Sequence, residues 1–296
     1  MLGVVNLDKP VGPTSHDMVG LMRRLTGTRR IGHAGTLDPL ASGVLPILVG
    51  AATRFSEELS RGRKRYDAVI RLGQTSPTDD AQGPITATGA SLPTRAAVEA
   101  ALRGFVGTFD QLPPAFSARK LGGRTAHRAA RAGEAMALPP RSVIVDALNL
   151  VDMAEGDGWL DVRIDLRCGP GTYVRSIARD LGERLGTGGH LHALRRTEAA
   201  GLRVDDAVTP DRLEGLAARG RLNEALRPVG ELLAMRSVSL GADAAWRFAH
   251  GSAQSLDDGS PGRVKVFDEA GQLLGIGALG GGELRPEKVI PMDVEA

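Results

Sequence analysis

Residues Arg30-Ile-Gly-His-Ala-Gly-Thr-Leu-Asp-Pro-Leu-Ala-Ser-Gly-Val-Leu-Pro-Ile-Leu-Val-Gly50 organise the reading of the whole chain. The second half, Val44 to Val49, is an apolar run of strand length bounded by glycines, the pattern of a buried strand. The first half sets one acid, Asp38, in a turn built from Gly32, Gly35, Pro39 and Gly43. Glycine lets backbone approach a ligand, and Pro39 biases Asp38 away from helix. An Asp-Pro pair is ordinarily a loop acid that closes a turn. Here Arg30 and His33 precede the acid, and its place at the mouth of a buried strand makes it a candidate for chemistry.

Outward from this stretch the chain reads as alternating strands and helices. Residues 3–7 form a strand ending in the turn Asp8 to Pro13. Ser15 then caps a helix with Met18, Leu21, Met22 and Leu25 on one face, stopped by Gly27. A helix is expected over 51–60, a strand over 64–72, a turn-rich loop over 77–84 and a helix over 93–105. Residues 112–140, bounded by prolines and rich in arginine, read as an insertion holding a basic helix with Arg128 and Arg131. Strands at 143–151 and 160–167 lead to the turn Gly169-Pro170-Gly171, a helix over 172–185 and a strand over 190–196. After Pro228 short strands with glycine-rich turns predict a small all-β unit over 231–296. The expected architecture is α+β: a mixed, mainly antiparallel central sheet flanked by helices over 1–230, with the all-β unit behind it.

The chain has 296 residues, enough for a substantial core, and no apolar run approaches the roughly 20 residues of a membrane-spanning helix. Its N-terminus lacks the pattern of a signal peptide, so a cytoplasmic protein is expected. The one cysteine, Cys168, excludes an internal disulfide and a cysteine-based zinc site. His190 and His192 alternate on one strand face but make at best a weak two-ligand site, and no metal is expected. Net charge is +2, divided as +6 over residues 1–230 and −4 over 231–296. Residues 23–71 carry ten basic side chains against four acids. Such a stripe fits a phosphate backbone, or equally a solvated arginine-rich face.

Three further places carry polar groups that packing does not require. Tyr66 sits beside Arg65 on a strand; taken alone it reads as a half-buried packing residue. Tyr173 and Arg175 occupy the first turn of the helix after Gly169-Pro170-Gly171, where backbone N–H groups suit an anion. A cation there opposes the helix dipole, which pairing with a carboxylate would explain; a solvent-facing arginine is the ordinary alternative. His192-Ala-Leu-Arg195-Arg196-Thr197 is a basic strand. No Ser-His-Asp arrangement or phosphate loop is present.

Taken in order, these motifs resemble the TruB family of tRNA pseudouridine-55 synthases. Gly32 to Pro46 looks like the family's catalytic motif, and Leu7-Asp8-Lys9-Pro10 its N-terminal motif. Lys64-Arg65-Tyr66, Leu72-Gly73, Asp79 and Gly83 follow its second block. Pro113-Pro114 through Ser117-Ala118 and Lys120 resemble the start of its RNA-gripping insertion. Gly171 to Arg175 and Leu194 to Thr197 complete the set. Residues 284–290 are similar to the end of a PUA domain.

The resemblance implies isomerisation of uridine 55 in the T loop of tRNA, with the target base flipped out of the stack. Asp38 would be the nucleophile at C1′ of the ribose, although a route through C2′ deprotonation stays open. Arg175 would pair with Asp38 and orient it. Tyr66 would stack on the flipped base and serve as a proton-transfer group. His33 would fill space near the displaced nucleotide, and Lys9, Tyr173 and Leu194 would line the pocket, with Lys120 in the RNA grip. No cofactor is implied, because substrate and product are isomers. The partner would be the T-arm stem-loop of tRNA, gripped by residues 112–140 and by the basic residues of 23–71. A monomer without an obligate protein partner is expected. Two other classes remain: a non-catalytic RNA-binding protein, disfavoured because Asp38 and Tyr66 are present, and a glycoside hydrolase, which normally needs two carboxylates.

Overall fold

The computed structural model describes residues 1–116, 120–121, 124–125, 138–256 and 260–291. A ten-stranded sheet forms its centre. Across the sheet the strands run Leu226–Arg227, Gly3–Lys9, Ala41–Val49, Gly189–Ala199, Lys64–Leu72, Trp159–Cys168, Arg141–Gly156 and Gly107–Gln111. Ile31–His33 adds to Ala41–Val49, and Leu202–Arg203 to Gly189–Ala199. Every pairing is antiparallel except the one joining Ala41–Val49 to Gly189–Ala199. The central sheet is therefore mixed and mainly antiparallel, as expected.

Period-two alternation decides which side chains the sheet buries. Along Lys64–Leu72, Tyr66, Ala68, Ile70 and Leu72 turn inward, while Arg65, Asp67 and Arg71 turn out. The outward set meets acids and bases of the next strand. Arg65 pairs with Asp165 at 2.8 Å, Arg71 with Asp161 at 2.7 Å, and Asp67 with Arg163. The inward set packs under Val174–Leu185, whose Val174, Ile177, Ala178 and Leu181 are buried in the main core.

Helix Ser15–Thr26 begins one residue earlier than its sequence suggests. Thr14, not Ser15, is the cap: its hydroxyl accepts from Asp17 N at 3.1 Å, and Asp17 accepts from Thr14 N at 2.8 Å. Ser15 is freed for another task, described below. The helix expected over 51–60 is broken into a 3₁₀ turn, Gly50–Phe55, and one α-turn, Ser56–Ser60.

A second, five-stranded sheet runs Arg236–Leu240, Gly262–Asp268, Leu273–Gly280, Glu283–Val289 and Gln254–Ser255, with one added helix, Ala242–Ala249. It does not hang free. Leu273, Ile276 and Ile290 share a buried cluster with Phe55, Leu59, Val229 and Leu233. Glu58, almost wholly buried, receives Arg263 at 2.8 and 2.9 Å and Lys288 at 2.8 Å. The Arg263 hydrogen bonds, aided by Lys288, hold the Glu58 carboxyl at a pKa of about 2 against the opposing effect of burial.

In the insertion, Lys120–Leu121 pairs with Arg124–Thr125 as a short hairpin. The basic helix expected around Arg128 and Arg131 lies outside the described residues.

Candidate active site

The Asp38 turn leaves strand Ile31–His33 and returns through Ala41–Val49, and it is pinned from two sides. On one side Ser15 Oγ donates to Leu37 O at 2.9 Å and accepts from Leu37 N at 2.8 Å. Gly12 N also reaches Pro39 O at 2.9 Å. On the other side Arg196, 1 % exposed, donates from Nε to Val44 O at 2.7 Å and from Nη2 to Gly35 O at 2.9 Å. A longer contact of 3.5 Å joins Nη1 to Thr36 O. Arg196 stands opposite Gly43 in the parallel pairing and opposite Tyr66 in the antiparallel one. Gly43 has φ +100°, and a Cβ there would lie 2.2 Å from Arg196 O. That approach admits only glycine.

Asp38 and Arg175 meet: Nη2 of Arg175 lies 2.9 Å from Oδ2 of Asp38. The Asp38 side chain is 43 % exposed, whereas that of Arg175 is 7 % exposed. The cation in the first turn of Val174–Leu185 is thus explained by carboxylates on both sides. Its Nη1 faces buried Asp80 at 3.5 Å, and its remaining donors go to Thr78 O at 3.2 Å and Phe116 O at 3.0 Å. Asp80 is held in turn by Thr78 Oγ1 at 2.6 Å and Gln82 N at 3.1 Å. The turn-rich loop 77–84 therefore buttresses Arg175. Its neighbour Asp79, at φ +59°, is bound to Arg179 at 3.1 Å instead.

A cavity of about 300 Å³ opens beside Asp38, within the range of small-ligand sites. Asp38, Lys64, Tyr66, Tyr173, Arg175, Leu194 and Arg196 all line it. Burial raises the Tyr66 phenol above its ordinary pKa, and the hydrogen bond and charge of Arg196 oppose that shift. Burial likewise lowers Arg196. Tyr173 precedes the helix, where its backbone N donates to Gln111 Oε1 at 2.8 Å and its O accepts from Gln111 Nε2 at 3.0 Å. That amide is engaged within the protein rather than open to an anion.

Lys9 and His33 stand beside the site without lining the cavity. Lys9, fully buried, donates to Pro10 O at 2.8 Å and Pro13 O at 2.7 Å, bracing the turn that touches Pro39. Burial pushes its pKa down to about 8, although the charge of Asp38 acts in the other direction. His33, half-buried, has a Nδ1 with no partner among the described residues, and burial lowers its pKa. Lys120 belongs to the hairpin strand Lys120–Leu121.

The basic stripe of 23–71 is largely spent inside the protein. Arg54 donates to Val289 O, and Arg61, Arg63, Arg65 and Arg71 pair with Glu57, Asp146, Asp165 and Asp161. Arg23, Arg24 and Arg29 are exposed, with no carboxylate partner among the described residues.

Comparison with known proteins fits this geometry. Residues 23–174 match the family model of the TruB family pseudouridylate synthase N-terminal domain. The chain belongs to the TruB family. Residues 175–234 match the tRNA pseudouridylate synthase B C-terminal domain, and residues 237–290 the C-terminal domain of pseudouridine synthase II TruB. The chain is 42 % identical to the tRNA pseudouridine synthase B of Burkholderia mallei, covering 97 % of this chain and 96 % of that protein. Against the tRNA pseudouridine synthase B of Ralstonia nicotianae it is 40 % identical, covering 97 % and 94 %. Among solved structures, the archaeal box H/ACA Nop10-Cbf5 complex superposes with a TM-score of 0.74 at 23 % identity, over 98 % of this chain and 87 % of that one. A Cbf5-Nop10-Gar1 complex gives 0.73 at 26 %, over 98 % and 86 %. The TruB member described here is accordingly an enzyme that pseudouridylates tRNA.

The structure brings Asp38, Tyr66 and Arg175 together around one cavity. Sequence reasoning missed Arg196, Lys64 and Asp80. One signal was available for Arg196: adjacent residues on a strand face opposite sides, so Arg195 and Arg196 cannot both be solvated by one face. Arg195 points out to Asp8 at 2.8 Å, and Arg196 points in.

Proposed function

We propose that this enzyme isomerises uridine 55 in the T loop of tRNA to pseudouridine, with Asp38 acting at C1′ of the flipped nucleotide. The observation that carries this reading is the Asp38 carboxylate, gripped by Arg175 at 2.9 Å on the rim of a cavity that Tyr66 also lines. A base extruded into the cavity stacks on Tyr66 and brings its glycosidic bond to the rim. The bond to N1 breaks, the electron pair leaves with the uracil, and the carboxylate meets the electron-deficient C1′. The ring turns, C5 attacks C1′, the carboxylate is released, and the C5 proton departs with Tyr66 as the nearby transfer group while N1 takes up a proton, which leaves an isomer of the substrate. Arg175 orients the carboxylate, and Asp80 braces Arg175 from behind. Tyr173 and Leu194 shape the cavity, Lys9 supports the turn from outside it, His33 fills space near the displaced nucleotide, and Lys120 belongs to the grip on the T-arm stem-loop.

The test is incubation with a tRNA transcript and base-resolved detection of pseudouridine. Wild-type protein should convert the T-loop uridine, and Asp38→Asn should bind the transcript without converting it. Conversion by Asp38→Asn at the wild-type rate would remove Asp38 from the chemistry. Conversion at another position would refute the assignment to uridine 55.

A further inference from the structure

The cavity holds more positive charge than its one exposed carboxylate needs. Asp38, Arg175 and Asp80 form a chain of alternating charges that sums to a single negative charge. Two further cations line the cavity, Lys64 and Arg196, at 9 % and 1 % exposure. Neither has a carboxylate within ion-pair distance among the described residues. Lys64 Nζ donates to Ser60 O and Gly62 O, both at 2.7 Å. Arg196 donates to the carbonyls of Gly35 and Val44. Both approach Gly35: a Cβ there would be 3.4 Å from Arg196 Nη1 and 3.6 Å from Lys64 Cε. Lys9 adds a third buried cation behind the same turn.

Burying like charges side by side is costly, and backbone carbonyls compensate only part of the cost. A lysine that merely closed the end of helix Ser56–Ser60 would have its ammonium in water. Here Lys64 is buried and lines the cavity together with Arg196. Groups of this kind, fixed before the reaction and shielded from water, act most strongly on charge that develops in the transition state.

We propose that Lys64 and Arg196 form a cationic floor that stabilises negative charge on the uracil ring while it is detached from ribose. This deepens the proposed function and rests on it. Breaking C1′–N1 leaves the bonding pair on the uracil, spread over N1 and the two ring oxygens. The matching deficiency at C1′ is met by the Asp38 carboxylate, or by loss of the C2′ proton. Either route makes the same anion, so the floor serves both. When C5 bonds to C1′ the ring gives up that charge, and loss of its C5 proton is matched by proton uptake at N1. Uracil enters and departs neutral, so the floor favours the separated state over both bound ends.

The experiment compares stem-loop RNAs carrying uridine or 5-fluorouridine at the target position, below neutral pH, in single turnover. Loss of the starting nucleoside is read for each. Fluorine withdraws electrons and makes the uracil a better leaving group, so it substitutes for the floor. Lys64→Gln keeps hydrogen-bond donors and removes the charge. It should slow uridine about tenfold more than 5-fluorouridine, whereas Lys64→Arg should keep the wild-type ratio of the two rates. Arg196→Lys keeps the charge and loses loop bonds, so it should lower both rates without changing the ratio. Should Lys64→Gln fail to fold, Lys64→Met is read in the same way, and Arg196→Gln tests the other cation. Equal slowing of both substrates by every foldable charge-removing variant would overturn the proposal, as would a Lys64→Arg enzyme whose ratio follows that of Lys64→Gln. A wild-type enzyme that makes no pseudouridine refutes the proposed function itself. Wild-type turnover without differential rescue refutes the cationic floor alone.

Discussion

Replacing Arg196 by methionine separates what a buried charge does for stability from what it does for geometry. Its two good hydrogen bonds, to Val44 O at 2.7 Å and Gly35 O at 2.9 Å, are charge-assisted, each contributing about 1.5–3 kcal/mol. Their loss costs about 3–6 kcal/mol before compensation. Against this, the guanidinium no longer has to be stripped of water, which returns several kcal/mol. The net destabilisation should therefore be about 0–3 kcal/mol, measured by urea unfolding. Catalysis has no such compensation. Gly35, Thr36 and Val44 flank Asp38 on both sides, and releasing them lets its carboxylate shift relative to Tyr66. A displacement of about 1 Å at reacting groups costs about 100-fold in rate. Single-turnover conversion of a T-arm stem-loop should thus fall about 100-fold in Arg196→Met, although the protein stays folded without urea. A folded Arg196→Met enzyme within about threefold of the wild-type rate would refute the idea that this side chain positions the turn.

Other outcomes follow from the same geometry. Gly43→Ala forces a side chain into a positive-φ position against the backbone of Arg196, and should cost at least about 3 kcal/mol by thermal or urea unfolding. Asp80→Asn leaves Arg175 held by one carboxylate and should slow single-turnover chemistry about tenfold with RNA affinity unchanged, which a filter-binding assay checks. Glu58→Gln should destabilise the protein by about 2 kcal/mol at neutral pH, seen as a lowered unfolding midpoint. Because folding depresses the Glu58 pKa, its contribution is present above the unfolded carboxylate pKa and disappears as pH falls toward about 2. The difference between wild type and Glu58→Gln should shrink over that interval; a difference independent of pH would remove the ion cluster from the stability of the C-terminal unit.

Local pattern made Asp38 legible because a turn and a buried strand announce themselves by glycine, proline and apolar residues. Arg175 was legible as a discrepancy, a cation at the wrong end of a helix dipole, and the structure resolves it with Asp38 and Asp80. Lys64 and Arg196 were hidden for a different reason. Their partners are carbonyl oxygens of Ser60, Gly62, Gly35 and Val44, and a backbone oxygen has no residue type. Ser15 and Thr14 show the limit at the level of single residues. Both suit a helix cap, and the choice is made by Leu37, distant in sequence, whose backbone takes up the Ser15 hydroxyl. The positive stripe of 23–71 was legible as charge but not in how that charge is divided: Asp146, Asp165 and Asp161, on strands further along the chain, take up Arg63, Arg65 and Arg71, whereas Arg23, Arg24 and Arg29 have no carboxylate partner among the described residues.

That mutual neutralisation on the outer face of the sheet has a consequence for how the enzyme selects RNA. An arginine already bound to a carboxylate displaces few counterions when a phosphate arrives, so it adds little to binding that any RNA can exploit. Arg65, Arg71 and Arg163 are each tied across strands to an acid, and Arg195 is tied to Asp8. Arginines tied in this way should give a shallower salt dependence of binding than a count of 32 arginines suggests. An RNA of any sequence should therefore gain little hold on this face of the sheet.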